Sequence, residues 1–430
     1  MVVDLTEVED APAGEAGRES ETASLASLRE ALARKRKERR EAERKVAALR
    51  EEEQDLELLI EGIEDQEESA RRARNRPDWA GAFKWDQQVE RLLAQTFRLP
   101  GFRPLQREVI NATLSKWDTL VLMPTGGGKS LVYMLPALVE AGVTLVVSPL
   151  ISLMHDQVTQ LAEVGVRAEL LCQHTDKDLV KRIHDDLCSP KSDLRLLYAT
   201  PERVVKSKTL ISRLEKAHKQ GLLQRIVIDE AHCISQWGHD WRQDYTKLGF
   251  FKKQFPEVPI MALTATATRK VEEDIKESLH TQKCERFCKS VDRPNLQYEV
   301  QLKAPSADEA NQAIYDVIAQ RFPAQPGIVY CFSKKEAETV AHFLQGKGVR
   351  AKFYHADLDL YGTDARGNSG RMEVFEQWSK GRVQVVVATI AFGMGINKLD
   401  VRFVIHHTMS KSISAYYQEA GRAGRCVPDY

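Results

Sequence analysis

One short stretch constrains the fold of this chain more than any other. Met123-Pro-Thr-Gly-Gly-Gly-Lys-Ser130 is preceded by Thr119-Leu-Val-Leu, an apolar run that reads as a buried strand. It is followed by Leu131-Val-Tyr-Met-Leu-Pro-Ala-Leu, which reads as the start of a helix. Strand, glycine loop, Lys-Ser and helix, in that order, make a phosphate-binding loop. Glycines let successive backbone N–H groups point into one concavity, and the helix N-terminus adds partial positive charge. The pattern assigns nucleotide contacts to Met123, Pro124, Thr125, Gly126, Gly127, Gly128, Lys129 and Ser130. Lys129 is placed to reach the outer phosphates and Ser130 to ligate Mg²⁺. Met123 stands where the usual pattern opens on glycine, and an ordinary glycine turn could carry the same Gly-Lys-Ser.

The surroundings decide between those readings. Apolar runs at 119–124, 144–149, 194–200, 225–230 and 259–265 alternate with helical patterns. Short apolar strands separated by helices predict a parallel sheet covered on both faces, which binds ligands at the carboxyl ends of its strands. The run Ile226-Val-Ile-Asp229-Glu230 ends in two carboxylates at that same edge. Asp229 is placed to hold Mg²⁺ through water, and Glu230 to orient and deprotonate the attacking water. The pair and the glycine loop together predict nucleotide triphosphate hydrolysis.

The chain has 430 residues, enough for two or three domains. No run of 18 apolar residues is present, so no transmembrane helix and no membrane partner are expected. The first ten residues lack the basic and apolar regions of a secretory signal. Seven cysteines are scattered, with only Cys284 and Cys288 close together. That pattern fits structural thiols in a reducing compartment better than a metal site. The formal net charge is zero, but residues 1–78 hold 22 acids against 15 bases and the remainder 47 bases against 40 acids. A nucleic-acid partner therefore needs a local basic groove.

Residues 1–22 are acidic and poor in large apolar groups, so a disordered tail is expected. A helix is expected over 23–64. There Leu25, Leu28, Leu32, Lys35, Arg39, Ala42, Val46, Leu49, Glu53, Leu56, Ile60 and Ile63 keep one 3-4 spacing. This predicts a coiled coil that makes the chain a homo-oligomer; the competing reading is a single solvated helix. Arg34-Lys-Arg-Lys-Glu-Arg-Arg40 fits a nuclear-import or nucleic-acid patch and a solvated face equally. Residues 65–78 read as a linker. Trp79, Phe83 and Trp85 open a packed domain, 79–290, and a second run of strand and helix signals spans 291–430. Its strands are expected at 327–332, 350–355, 383–389 and 401–407. It has no second glycine–lysine loop, so it should assist the first nucleotide site.

Asp229-Glu-Ala-His232 runs on into Cys233-Ile-Ser-Gln-Trp-Gly-His-Asp-Trp-Arg-Gln-Asp-Tyr245. Here the sequence resembles the RecQ family of superfamily 2 DNA helicases, whose distinctive feature is an aromatic-rich loop after a DEAH box. Trp237 and Trp241 can stack on bases and Arg242 can contact phosphate. Phe102-Arg103-Pro-Leu-Gln106 resembles the family's adenine-reading motif, with Leu99 packing on the base. The segments 148–157 and 198–203 resemble those that hold single-stranded DNA, and Leu263-Thr264-Ala-Thr266-Ala-Thr268 the one that couples hydrolysis to domain movement. For such Ser/Thr clusters, local capping is a strong competing reading. In the second domain, Thr389-Ile-Ala-Phe-Gly-Met-Gly395 and Gln418-Glu-Ala-Gly-Arg422-Ala-Gly-Arg425 resemble the motifs linking DNA grip and nucleotide state.

The resemblance implies two tandem RecA-like α/β domains that use ATP and Mg²⁺. It implies catalytic roles for Lys129, Asp229, Glu230, Arg422 and Arg425, and nucleotide contacts from Leu99, Arg103, Gln106 and Gln418. Mg²⁺ falls to Ser130 and Asp229, and DNA to Thr200, Gln236, Trp237, Trp241, Arg242, Ser333 and Thr389. It also implies a nuclear helicase of DNA repair and recombination, moving 3′→5′ on single strands and opening duplex DNA. The two arginines are read at a helix beginning. Residues 359–371 exceed the family's spacing and are expected to form a flexible surface loop. The family's four-cysteine zinc subdomain and winged helix have no counterpart before Tyr430, so no zinc site is expected. DNA unwinding, DNA-stimulated translocation without unwinding, and strand annealing by a coiled-coil oligomer remain as alternatives.

Overall fold

A computed structural model describes residues 25–74, 76–124, 126–173, 175–236, 242–265, 267–290, 292–361, 370–390, 392 and 398–424. The chain divides into two compact units, residues 1–76 and 77–430. The predicted tail 1–22 lies outside the described residues.

The first unit is one helix, α1 (Leu25–Arg74), of 50 residues. At 1.5 Å per residue it is about 75 Å long. It passes the expected end at 64 and takes in most of the predicted linker. The sequence explains the extension: Glu67 and Glu68 stand four residues before Arg71 and Arg72, a helix-supporting spacing, and the first proline after Leu25 is Pro77. The seam residues Leu28, Leu32, Val46, Leu49 and Leu56 are all exposed.

The second unit holds two parallel sheets. The first comprises β1 (Thr119–Leu122), β2 (Val143–Val147), β3 (Ala168–Leu171), β4 (Leu196–Ala199), β5 (Leu223–Ile228), β6 (Ile260–Thr264) and β7 (Glu285–Cys288). Their order is β3-β4-β2-β5-β6-β1-β7. Leu120 and Leu122 pack into the core on one face, and Val121 and Met123 into the core on the other. Burial on both faces is what makes these strands read as unbroken apolar runs. It also accounts for Met123, a fully buried core residue rather than a defective glycine. Two strands, β3 and β7, escape the sequence reading. Both are edge strands carrying polar residues such as Glu169 and Arg286, so their apolar signal is weak. Trp79 is buried and the side chain of Asn111 donates to its carbonyl at 2.9 Å, so the aromatic preface is packed as expected.

The second sheet comprises β8 (Gly327–Tyr330), β9 (Ala351–Tyr354), β10 (Val385–Ala388) and β11 (Phe403–His406), in the order β11-β8-β10-β9. Gly327 is required there: a Cβ would stand 2.1 Å from the Phe403 ring. The predicted surface loop 359–371 is described only at its ends. A 3₁₀ turn runs through Ala356–Tyr361 and a helix starts at Gly370, leaving 362–369 outside the described residues.

Candidate active site

The glycine loop leaves β1 at the carboxyl edge of the first sheet. Met123 N–H donates to the Thr264 carbonyl at 3.1 Å, tying the loop to the end of β6. Gly126 and Gly128 have φ of 80° and 82°, the left-handed region that favours glycine. The helix after the loop is broken into Leu131–Met134 and Pro136–Val139, because Pro136 has no N–H to continue it. Lys129 Nζ donates to the Met123 carbonyl at 3.1 Å, curling over the loop where a phosphate would lie.

Two residues assigned to adenine support this loop. Arg103 donates to the Gly126 carbonyl at 2.6 Å, and Gln106 Nε2 to the Gly128 carbonyl at 3.0 Å. Gln106 Oε1 accepts from the Arg103 N–H at 2.8 Å, so both ends of the amide are engaged inside the protein. Leu99 is 40% exposed and open to a ligand. Ser130 Oγ accepts from Gln157 Nε2 at 3.1 Å, and Tyr133 donates to Gln157 Oε1 at 2.8 Å. Gln157 therefore orients the candidate Mg²⁺ ligand. The sequence reading placed Gln157 only in a DNA-holding segment; no spacing marks its partner.

Asp229 and Glu230 leave β5 one strand away, with β6 between them and the loop. Asp229 is buried, and its carboxyl is pushed well above the usual carboxylate range. Burial is the main cause and the Glu230 charge the next, opposed by Lys129. Glu230 has φ 50°, ψ 45°, a strained conformation for a residue with a side chain. Its Oε2 is buried and makes no hydrogen bond. A buried carboxylate oxygen that makes no hydrogen bond, the Asp229 carboxyl and the Ser130 hydroxyl are the kind of oxygen donors a hard cation and its water take. His232 Nδ1 lies 3.3 Å from Glu230 Oε2 and 3.0 Å from Thr264 Oγ1, joining the end of β5 to that of β6.

Trp237, Trp241 and Thr125 lie outside the described residues. The roots of the aromatic loop are described. Ser235 donates to Asp274 at 2.5 Å, fastening one root to the helix Arg269–Ser278. At the other root, Arg242 Nη1 donates to the Pro149 carbonyl at 3.2 Å and Tyr245 to the Asp229 carbonyl at 2.9 Å. Gln236 is exposed beside the first root.

Thr200 and Ser333 cap the helices Pro201–Lys206 and Lys334–Gly346 with their hydroxyls. Local capping, the competing reading for the 198–203 segment, is present at Thr200, and Ser333 caps in the same way. Ser333 also lines a groove of about 630 Å³ with Phe332, Lys334, Lys335, Thr389 and Ile390, at the carboxyl ends of β8 and β10. Gln418 lies in the helix Ile413–Ala420. Arg422 follows the end of that helix, not a helix beginning, because Gly421 closes it. Arg422 is buried and its Nε makes no hydrogen bond. Arg425 lies outside the described residues.

Among the described residues, Cys331, Glu336 and His407 converge with ligand atoms within 4.8 Å. Glu336 and His407 already satisfy one another. Glu336 bonds His407 Nδ1 at 2.7 Å and the Phe332 N–H at 2.8 Å, Lys303 stands 3.5 Å from His407 Nδ1, and burial pushes the Cys331 thiol up to about 12. No described helix is long and apolar enough to cross a membrane.

Residues 103–274 match the DEAD/DEAH box helicase family, and residues 309–427 match the helicase conserved C-terminal domain. The chain is 50% identical over 343 residues to the ATP-dependent DNA helicase Q1 of Rattus norvegicus, covering 80% of this chain and 54% of that protein. It is 49% identical over 349 residues to the ATP-dependent DNA helicase Q-like 2 of Arabidopsis thaliana, covering 81% of this chain and 48% of that one. The chain thus spans about half the length of these curated relatives. The Mycobacterium smegmatis helicase Lhr, solved bound to ssDNA and AMP-PNP, is similar in fold. It has a TM-score of 0.55 and 20% identity, covering 81% of this chain and 47% of that one.

Proposed function

The chain belongs to the RecQ-type superfamily 2 helicases, and from that premise we propose that it is an ATP-dependent DNA helicase moving 3′→5′ on single strands. One observation carries the reading. The glycine loop, Thr264 and the Asp229–Glu230 pair end three neighbouring strands, and a root of the aromatic loop bonds the backbone of Asp229 itself. A group that touches DNA is thereby wired to a group that handles nucleotide.

In this reading the loop backbone and Lys129 bind the phosphates, while Leu99, Arg103, Gln106 and Gln418 shape the nucleoside side. Ser130 and Asp229 would hold Mg²⁺, which would supply charge neutralisation on the phosphates. Glu230 orients the attacking water and accepts its proton. Arg422 and Arg425 complete the site from the second sheet. Trp237, Trp241 and Arg242 grip bases and backbone, with Gln236, Thr200, Ser333 and Thr389 along the strand. The relatives' names support ATP-dependent action on DNA, with a nuclear role in repair and recombination proposed as part of the same reading, and the seam of α1 supports a homo-oligomer.

The test is made on this chain. ATP hydrolysis is measured with and without single-stranded DNA, then strand displacement on a 3′-tailed duplex. Stimulated hydrolysis with displacement is expected. Stimulation without displacement would replace the helicase with a translocase. Hydrolysis that survives Glu230→Gln would overturn the site itself.

A further inference from the structure

α1 leaves a row of apolar side chains uncovered. Leu28, Leu32, Val46, Leu49 and Leu56 are 48% to 63% exposed along one heptad seam. The same seam carries Lys35, Arg39 and Glu53, also exposed. The helix is electrically lopsided. Residues 25–46 hold nine basic and four acidic side chains, and residues 47–70 hold one basic and ten acidic.

We propose that two copies of this chain pair through α1 in antiparallel orientation, each residue i level with residue 88 − i of the second copy. The proposal rests on the oligomer reading above and is independent of the helicase reading.

The charges choose the orientation. A parallel, in-register pair would stack Lys35 on Lys35, Arg39 on Arg39 and Glu53 on Glu53. Each layer would then put like charges into an apolar seam. It would also lay the basic half on the basic half and the acidic on the acidic. Antiparallel pairing lays residues 25–41 of the basic half along residues 47–63 of the acidic half. The seam then chooses the register. In the one proposed, Leu32 is level with Leu56, Lys35 with Glu53, Arg39 with Leu49, and Ala42 with Val46. A shift of one heptad sets Lys35 against Val46 in one direction or Ile60 in the other, and Glu53 loses its cation in both. Flanking positions carry like charges in either orientation, such as Glu38 against Glu43 or against Glu52, so they do not discriminate. In the single chain Lys35 Nζ bonds Glu38 at 2.8 Å, an exposed contact easily exchanged for a partner.

The test uses the full chain. Sedimentation gives the oligomeric state, and brief oxidation of Leu32→Cys and Leu56→Cys chains, singly and mixed, gives the orientation. The unsubstituted chain supplies the background from native cysteines. A dimer is expected whose cross-link forms only when the two variants are mixed. Lys35→Glu should weaken the dimer roughly tenfold, since it creates two repulsive seam contacts. Lys35→Glu with Glu53→Lys should restore it, because the swap rebuilds both pairs only in antiparallel register. A Leu32→Cys chain that cross-links to itself shows a parallel pair and overturns the proposal while leaving the oligomer reading. A monomer at all accessible concentrations overturns both. DNA-stimulated hydrolysis by the same variants reports on the helicase reading separately.

Discussion

Gly128 shows how tightly single residues constrain the site. Its φ is +82°, and a Cβ would stand 2.2 Å from Gln106 Nε2. Gly128→Ala should therefore break the Gln106 contact and cost about 2 kcal/mol from backbone strain. Thermal unfolding would read the loss, and a fluorescent nucleotide titration should show binding reduced with it. Arg225 is a second such residue, fully buried in β5 at the opposite edge of the sheet. It bonds Glu140, Thr113 and Thr144. Arg225→Ala leaves Glu140 with Lys116 at 2.6 Å, so the cost should fall at the low end for a broken buried pair, about 3 kcal/mol. Denaturant midpoints would shift while the hydrolysis rate of the remaining folded protein stays unchanged.

Among elements, the aromatic loop is defined by how its roots are held. Tyr245 is buried and its hydroxyl meets the Asp229 carbonyl. Tyr245→Phe keeps the ring and removes that link. DNA-stimulated hydrolysis should drop about fivefold, the rate equivalent of ~1 kcal/mol for one hydrogen bond, while DNA-free hydrolysis changes little. Equal loss of both rates would mean the hydroxyl serves only folding. Legibility at this scale followed burial. β1, β2, β4, β5 and β6 are readable because both faces are apolar; the edge strands β3 and β7 are not, because polar residues such as Glu169 and Arg286 interrupt their apolar signal. Thr200 and Ser333 also cap helices with their hydroxyls, a role that motif resemblance does not announce.

For the whole molecule, electrostatics separates the two units. The acidic excess lies in residues 1–78, and the remainder holds 47 bases against 40 acids. Binding to single-stranded DNA should fall linearly in log K against log salt, at about −0.7 per phosphate contact. Lys335 lines the groove at the carboxyl ends of β8 and β10. Lys335→Ala should flatten that slope by about 0.7, measured by anisotropy across a salt series. An unchanged slope would place the strand elsewhere.

By itself the sequence determined the chemistry: the glycine loop, the strand-end Asp229–Glu230 pair and the heptad seam are local patterns, set by neighbours within a few residues. Tertiary structure decided where that chemistry meets. Only strand order inserts β6 between β1 and β5, so that Thr264 stands between the loop and the carboxylates and holds His232. Only packing buries Met123 in a core and turns Gln106 and Gln157 toward the loop. The physical reason is range. Hydrophobic periodicity and turn chemistry act along the chain, whereas strand neighbours and side-chain partners depend on contacts between residues a hundred positions apart.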